Sequence, residues 1–393
     1  MLYVGIDVAK SKHDCFITNS DGEHLRDSFC IENSMKGFNE LYSAIRFFEP
    51  NPTFKNTKVG LEATGHYSNN IIDFLLTKNL NLVVLNPLQT NLYRKGQSLR
   101  KIKTDKSDAR FIAKMLITEQ LPSYSPVSYH ISELKALTRH RFRLVQERSK
   151  FKVSYSRLID IIFPELAANV WSTTQKSMLL TLSELPNTKA ISECHLTHFS
   201  SVIIRNSHGK YGKEKASDLK QLARNSIGSN SPSLAFELQQ IIRTILFLEE
   251  EIASLDKEIK KQVIALDMPL MSIPGISYVL ASIIISEIGD IGKFDTPAKL
   301  LAFAGLEPST FQSGNFTSDH ARMVKRGSKY LRWALLTATR LVCMRDETFR
   351  SYRDKKLSEG KHYFVALSHT SKKLNRVIFY MLKSGETFIS KAS

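Results

Sequence analysis

The order of strand-like and helical segments in residues 1–120 is the strongest constraint on the fold of this chain. Three short apolar segments form a meander, and two more alternate with segments of helical apolar spacing. The strands are predicted at Leu2–Val8, Asp14–Thr18, His24–Ile31, Lys58–Leu61 and Leu82–Leu85, and the helices at Ser34–Phe48, at His66–Thr77 and from about Lys106. This order predicts an α/β fold, with a mixed sheet and helices packed on it.

The rest of the chain is mainly helical in pattern. Two long helical segments, Ser128–Phe163 and Ser233–Leu266, flank a less regular region over 165–232. Their spacing fits an antiparallel arm or coiled coil, and it equally fits an ordinary bundle. We expect three domains: an α/β domain over 1–125, a helical linker and oligomerisation region over 126–266, and a mostly helical C-terminal domain over 267–393.

The charge balance indicates a polyanionic partner. Lysine and arginine number 55 against 38 aspartates and glutamates, which gives a net charge of +17. Such an excess is typical of nucleic-acid-binding proteins. Basic clusters at 94–103, 139–157 and 322–332 are candidates for phosphate contacts, with a merely solubilising surface as the alternative. The candidate contact residues are Arg94, Arg100, Lys103, Lys106, Arg141, Arg148, Arg322, Lys325, Arg326, Lys329 and Arg332.

The sequence disfavours a membrane protein and a protein built on a zinc site or disulfides. The longest apolar runs, such as Val279–Ile285, are far shorter than the roughly 20 residues that span a bilayer, and the N-terminus reads as a strand. We therefore expect no membrane partner. The four cysteines have no CxxC spacing, so reduced structural thiols are expected and a zinc site is not.

Four carboxylates are candidates for a metal site. Asp7 interrupts an apolar strand, and Glu62 ends a later one. Asp105 and Asp108, spaced three apart at a helix start, share one helix face. Four such acids suit two hard cations such as Mg²⁺, which favour oxygen ligands and promote phosphodiester chemistry. The alternatives are a strand-edge residue, a loop residue and a helix N-cap formed by Asp105 or Thr104.

Two C-terminal segments suggest contacts with DNA. Pro274-Gly275, flanked by apolar helical segments, is typical of a helix-hairpin-helix whose Gly275 turn points N–H groups at a phosphate; a plain tight turn is the alternative. A hydroxyl-rich loop then precedes a cationic helix. The Ser313-Gly314 step in this loop is a candidate for nucleophilic attack on a phosphate held by those cations.

Taken together, these motifs resemble the insertion sequence 110 family of transposases. GIDVAK, LEATG and KTDKSDA look like that family's DEDD, RuvC-like domain, and SIPGI and FAGLEPSTFQSG look like its C-terminal transposase domain. The resemblance implies an RNase H-like fold, a coiled-coil arm and a helical C-terminal domain. One departure is His320-Ala321-Arg322, where the family pattern is richer in glycine and lysine.

The resemblance also implies a mechanism and partners. Asp7, Glu62, Asp105 and Asp108 would bind Mg²⁺, with two ions in each composite site, and Ser313 would form a covalent bond to DNA. Ser309 and Ser318 are nearby alternatives to Ser313. The implied partners are double-stranded donor and target DNA and a structured non-coding guide RNA. We expect a dimer or tetramer in the cytoplasm of a bacterium or archaeon, associated with the nucleoid.

Three other functions remain open from the sequence. A Piv-type site-specific invertase would use the same residues at fixed inverted sites. A Holliday-junction nuclease of RuvC type would use water as its nucleophile, so that Ser313 would be dispensable. A non-catalytic nucleic-acid-binding protein would leave the four acids without a role.

Overall fold

The structure is a computed structural model. It describes residues 1–63, 66–97, 105–124, 128–309, 312–313, 316–317 and 323–390. The chain divides into two compact units, Met1–Pro126 and Val127–Ser393. Within the described residues, no helix is both long enough and apolar enough to cross a membrane.

The first unit is built on a mixed sheet. Its strands are β1 (Leu2–Val8), β2 (Lys12–Asn19), β3 (His24–Glu32), β4 (Thr57–Glu62) and β5 (Asn81–Leu85). In the described part of the unit they are ordered β3-β2-β1-β4-β5. The meander β1 to β3 is antiparallel, whereas β4 and β5 run parallel to β1. The mixed sheet expected from the sequence is confirmed, with strands slightly longer than their apolar centres.

Helices cover both faces of this sheet. They are α1 (Met35–Phe48), α2 (Asn69–Thr77), α3 (Pro87–Gln97) and α4 (Asp105–Thr118). Alternate residues of β1 such as Val4 and Ile6 are fully buried against α1 and α2. Ser34 caps α1 by accepting a hydrogen bond from the Gly37 N–H. The helix α3 was not predicted, because Asn86-Pro87 was interpreted only as the end of a strand.

The opposite face of the sheet carries α4 at very close range. A Cβ atom at Gly5 of β1 would lie 2.1 Å from the Ala109 carbonyl oxygen and 2.6 Å from the Ala113 nitrogen. At Gly60 of β4, a Cβ would lie 2.8 Å from a methyl carbon of Leu116. Glycine at these two positions therefore lets the backbone of α4 approach the sheet. Asp7, two residues after Gly5, is on this same face.

The second unit begins with two long helices that pair. They are α5 (Tyr129–Ile162) and α11 (Pro232–Ala265), each of 34 residues. Ion pairs join Arg141 to Asp256, Lys152 to Glu249 and Arg157 to Glu237. The residue numbers rise along one helix as they fall along the other, so the two helices are antiparallel.

The region between these helices is more regular than its sequence indicated. It contains α6 (Leu166–Asn169), α7 (Lys176–Glu184), α8 (Thr188–Glu193), α9 (Leu196–Ser207) and α10 (Lys213–Arg224). Their apolar residues join those of α5 and α11 in one core, which includes the fully buried Tyr155, Phe163 and Phe199.

The C-terminal part of this unit has a separate apolar core. The elements of this C-terminal part are α12 (Tyr278–Ile288), α13 (Pro297–Phe303), the short strands β6 (Gln312–Ser313) and β7 (Phe316–Thr317), α14 (Lys329–Arg345), α15 (Glu347–Ser358) and α16 (Tyr363–Ser384). Ile284, Leu335 and Leu374 are among the side chains buried at its centre. A domain boundary at residue 266 stays a prediction.

Candidate active site

The edge of the sheet at the ends of β1 and β4 contains a cavity of about 300 Å³. In these parallel neighbours Ile6 is level with Leu61, so Asp7 and Glu62 are the next residues along adjacent strands. Both line the cavity, and Asp108 of α4 lines it too. Three of the four predicted acids are therefore brought to one place, which we call the carboxylate cavity.

Helix α3 supplies the polar wall of the carboxylate cavity. The Thr90 hydroxyl donates a hydrogen bond to Glu62 Oε2 at 2.8 Å. Thr90, Asn91 and Arg94 all line the cavity from α3. Sequence reasoning missed this wall, although Pro87 at the first helical position was a usable signal for a helix start.

Arg94 pairs with one of the cavity acids. Its Nη1 lies 3.2 Å from Asp108 Oδ1, and its Nη2 donates to Asn91 Oδ1 at 3.2 Å. The two charged side chains are 27% and 18% exposed, so the pair is shielded from bulk water but remains accessible. Arg94 was predicted as a nucleic-acid contact. The structure places this cation beside a carboxylate at the cavity, where a bound phosphate would compete for it.

Asp105 is the first residue of α4. It lies one turn before Asp108, so both occupy one side of the helix. The side chain of Asp105 lies outside the described residues, as does the alternative N-cap Thr104. The placement of α4 is consistent with the predicted acidic pair and leaves the role of Asp105 a prediction.

A further acid, Asp14, was missed by sequence reasoning. It lies directly opposite Asp7 in the antiparallel β1–β2 ladder. Residues opposite each other in such a ladder share one face of the sheet. Asp14 is only 7% exposed. Asp14 is the one acid of the predicted strand Asp14–Thr18, but its register against Asp7 could not be predicted from the sequence.

The donor chemistry at this edge of the sheet fits a hard divalent cation. Asp7, Glu62 and Asp108 offer carboxylate oxygens, which are the ligands that Mg²⁺ takes in proteins. Among the side chains that the structure describes, no three His, Cys, Asp or Glu residues are grouped closely enough to form a ready-made metal cluster. The residue types therefore suit Mg²⁺, but the described carboxylates are spread around an open cavity and do not form a close cluster.

Ser313 lies in a short hairpin of the second unit. It is the last residue of β6 and pairs with Phe316 of β7. The Ser313 side chain, residues 314–315 and the alternative Ser318 lie outside the described residues, whereas Ser309 is described and exposed. The base of the segment is closed by a bridge between Pro308 and Met323 and by a hydrogen bond from the Val324 N–H to the Glu307 carbonyl.

The residues after this hairpin are anchored by a predicted DNA contact. Arg332 Nη1 donates to the carbonyl oxygens of Ala304 and Lys325, each at 3.1 Å. Arg332 thus joins both ends of the serine-bearing segment. Lys325, Arg326 and Lys329 have exposed side chains, so they remain candidates for phosphate contacts.

A buried ion-pair network lies at the start of α14. Glu287 of α12, whose side chain is 1% exposed, accepts hydrogen bonds from Arg139 Nε at 2.6 Å and Ser328 Oγ at 2.7 Å. Lys135 Nζ lies 4.0 Å away. Burial raises the pKa of Glu287, but the Arg139 and Ser328 hydrogen bonds and the Lys135 and Arg139 charges outweigh it and leave the pKa below its usual value. The network joins α5 and α12 to Ser328, the N-cap of α14.

The remaining predicted contacts have structural partners or fall outside the described residues. Arg141 pairs with Asp256, and Arg148 lies 3.7 Å from Glu249, so both interact with α11. Gly275 has a φ of 99°, and a Cβ there would lie 2.9 Å from the Leu341 backbone, so its turn packs on α14. It is preceded by a 3-10 helix at Pro269–Ser272. Outside the described residues lie Arg100, Lys103, Arg322 and the side chain of Lys106.

Comparison with known families accounts for both units. A family model for the DEDD transposases of the IS110 type, described as "Transposase", matches residues 4–164. A second model, "Transposase IS116/IS110/IS902 family", matches residues 267–354. The chain belongs to the IS110 transposase family. The proteins of this family are DNA recombinases of insertion elements, so the resemblance inferred from the motifs is confirmed.

Of three relatives, two span almost the whole transposase and one matches part of it. The "Insertion element IS116 uncharacterized 44.8 kDa protein" of Streptomyces clavuligerus is 24% identical over 98% of this chain and 96% of its own length. The "Pilin gene-inverting protein" of Moraxella lacunata is 23% identical over 98% of this chain and 97% of its own. The "Insertion element IS110 uncharacterized 43.6 kDa protein" of Streptomyces coelicolor is 32% identical over 41% of this chain and 38% of its own.

Proposed function

We propose that this transposase cuts and rejoins DNA through a covalent bond between Ser313 and a DNA phosphate, with Mg²⁺ held by the acids of the carboxylate cavity. The observation that carries the proposal is the convergence of Asp7, Glu62 and Asp108 on one cavity, with Asp105 one turn before Asp108. The sheet order and its mixed directions support an RNase H-like identity for the first unit.

The proposed chemistry is a transesterification. The Ser313 oxygen attacks the phosphorus and gives up its proton to water, while the bond from phosphorus to the leaving deoxyribose oxygen breaks. That oxygen takes up a proton and becomes a free DNA hydroxyl. The serine–DNA ester keeps the bond energy, so a DNA hydroxyl can later attack it and restore free serine without ATP. Asp7, Glu62, Asp105 and Asp108 would hold the Mg²⁺, which when bound supplies positive charge to the reacting phosphate. Exposed Lys325 and Lys329 would hold the DNA strand near Ser313.

The proposed partners are donor and target DNA, a structured guide RNA and further copies of the chain. The net charge of +17 supports a nucleic-acid partner. Exposed apolar side chains on the paired long helices, Val153 of α5 and Phe247 of α11, support a dimer or tetramer joined through these helices.

The decisive experiment is a denaturing gel of the protein incubated with Mg²⁺, the non-coding RNA of its element and labelled DNA. Wild-type protein should carry the label, whereas Ser313→Ala should lose both the labelled adduct and recombination. The matched control is Ser309→Ala, which removes an exposed hydroxyl four residues away and should keep both the labelled adduct and recombination. An adduct that persists in Ser313→Ala would overturn the assignment, and DNA cleavage without any adduct would favour a hydrolytic nuclease.

A second candidate function is inversion of a fixed DNA segment. It is favoured by the near full-length match to a pilin gene-inverting protein. The same residues would act, but at two fixed inverted sites and without a guide RNA. Sequencing of the RNA that co-purifies with the protein separates the two: an enriched RNA from the flanks of the gene supports transposition, and its absence with activity retained supports inversion.

A further inference from the structure

One face of α16 carries cations that the proposed chemistry does not use. His369, Lys372, Arg376 and Tyr380 recur at intervals of three and four residues, so they lie along one side of the helix. Lys361, just before α16, and Lys356 of α15 interact electrostatically with His369, and so does Lys372. We call these six residues the α16 face. Its helical part, from His369 to Tyr380, is about 16.5 Å long at a rise of 1.5 Å per residue.

Three of the four charged groups that act on His369 are cations. Burial, followed by the charges of Lys372, Lys361 and Lys356, lowers the pKa of His369 from its usual value. Glu359 acts in the opposite direction, but it is the ion-pair partner of Lys356 at 2.8 Å. The charges around the imidazole are therefore mainly positive, which is the environment expected beside a polyanion site.

The cations of the α16 face have little local compensation. The neighbouring acids Glu347 and Asp354 pair with Arg350 and Arg353. Within the described part of the chain, no carboxylate lies at ion-pair distance from Lys361, Lys372 or Arg376. Glu359 interacts electrostatically with Lys361, and Glu386 lines one groove with Arg376 and Tyr380, so these cations are compensated only in part. Binding of an anion would relieve the remaining repulsion among them.

One exposed aromatic ring lies on the α16 face, and another lies on a different side of the same helix. Tyr380, on the face, is 62% exposed. Phe364, in the first turn of α16 and outside the face, is 69% exposed and lies 5.5 Å from the Tyr363 ring. Cations that follow a backbone, combined with rings on which bases stack, are the features by which proteins bind unpaired nucleic acid.

We infer that the α16 face binds an unpaired stretch of nucleic acid, with Lys361, Lys372 and Arg376 on its phosphates and Tyr380 stacked on its bases. An RNA loop and a displaced DNA strand offer the same chemistry, and the probes below distinguish them. The inference extends the nucleic-acid partners of the proposed function. It does not depend on Ser313 as the nucleophile.

The test measures binding of the full chain to unstructured RNA, single-stranded DNA and duplex DNA of equal length over a range of salt concentrations. Removing two phosphate contacts with Lys372→Gln/Arg376→Gln should flatten the log–log salt slope for a single strand by about 1.4 and weaken binding about tenfold. The charge-matched control is Lys210→Gln/Lys213→Gln, two exposed cations outside the face, which should leave the slope unchanged. The stronger wild-type binding, to RNA or to DNA, identifies the source of the strand.

A second variant tests the stacking. Tyr380→Ala should weaken single-strand binding about tenfold without changing the salt slope, and should leave duplex binding unaffected. Phe364→Ala, which removes an exposed ring outside the face, is the matched control and should leave both unchanged. An unchanged slope in Lys372→Gln/Arg376→Gln, or an equal loss in the control, would overturn the inference. The inference would also be overturned if Lys372→Gln/Arg376→Gln lost only its binding to anionic lipid vesicles, or only its self-association, and kept its binding to single strands. Should the double variant not fold, the single variants Lys372→Gln and Arg376→Gln each predict half the slope change. Binding measured with Ser313→Ala keeps this result separate from the covalent chemistry.

Discussion

At the scale of single residues, the carboxylate cavity depends on few side chains, and Asp108 is the most informative to change. Asp108→Asn keeps the shape of the side chain but removes a charge from the cavity. Because divalent ions need the carboxylate charge, we expect strand cleavage to fall by about a hundredfold or more, with nucleic-acid binding retained. The measurement is cleavage of labelled DNA against Mg²⁺ concentration, beside a binding assay; Asp105→Asn should behave alike.

The control for this variant is another acid that pairs with an arginine. Asp27 of β3 pairs with Arg110 of α4 on an exposed part of the same unit, away from the cavity. Asp27→Asn should leave cleavage close to the wild-type rate, because exposed pairs contribute little. Full Mg²⁺-dependent activity in Asp108→Asn would mean that the cavity acids have a structural role only.

At the scale of secondary-structure elements, the close contact of α4 with β1 brings Asp108 near Asp7. Gly5→Ala would place a methyl group 2.1 Å from the Ala109 carbonyl oxygen, so α4 must move away. We expect about 1–3 kcal/mol lower stability, and a loss of cleavage because Asp108 moves with the helix. Urea unfolding measures the first effect.

The control for this variant is a second glycine of the same unit, at a position that has room for a methyl group. Gly96 lies in α3, and a Cβ there meets nothing within 4 Å. Gly96→Ala should therefore keep or slightly raise stability, since alanine favours helix more than glycine does. Equal unfolding midpoints for Gly5→Ala and wild type would show that α4 is not held where the structure places it.

These elements also show what could be predicted from the sequence. The strands were predictable because the apolar alternation of β1 and the turn after β2 are local signals. Helix α3 was missed because its residues have little apolar periodicity. The pairing of Arg141 with Asp256 and the position of Asp14 opposite Asp7 depend on register between distant segments, which a single sequence does not encode locally. The three cavity acids were predicted because a carboxylate is unusual within an apolar strand, at the end of one, or in a basic run.

At the scale of the whole molecule, the Glu287 network makes the second unit sensitive to acid. It joins α5, near residue 139, to the N-cap of α14 at Ser328, so residues almost two hundred positions apart share one buried carboxylate. The folded-state pKa of Glu287 is lowered from the ordinary value. The ionised form therefore stabilises the fold above the unfolded-state pKa of about 4.3, and this contribution is lost as pH falls through the lower, folded-state pKa.

The corresponding experiment follows thermal unfolding from pH 7 down to pH 3 in wild type and in Glu287→Gln. We expect the variant to be less stable at pH 7, because a neutral amide pairs poorly with the Arg139 guanidinium. The difference between the two proteins should shrink as pH falls below the unfolded-state pKa of about 4.3, because the unfolded carboxylate then takes up a proton more readily than the folded one. A difference that stays constant across the range would show that packing, and not the charge of Glu287, holds α5 and α14 together. Because Ser328 caps the helix that follows the serine hairpin, loss of the charge should also lower the yield of the Ser313 adduct at pH 7.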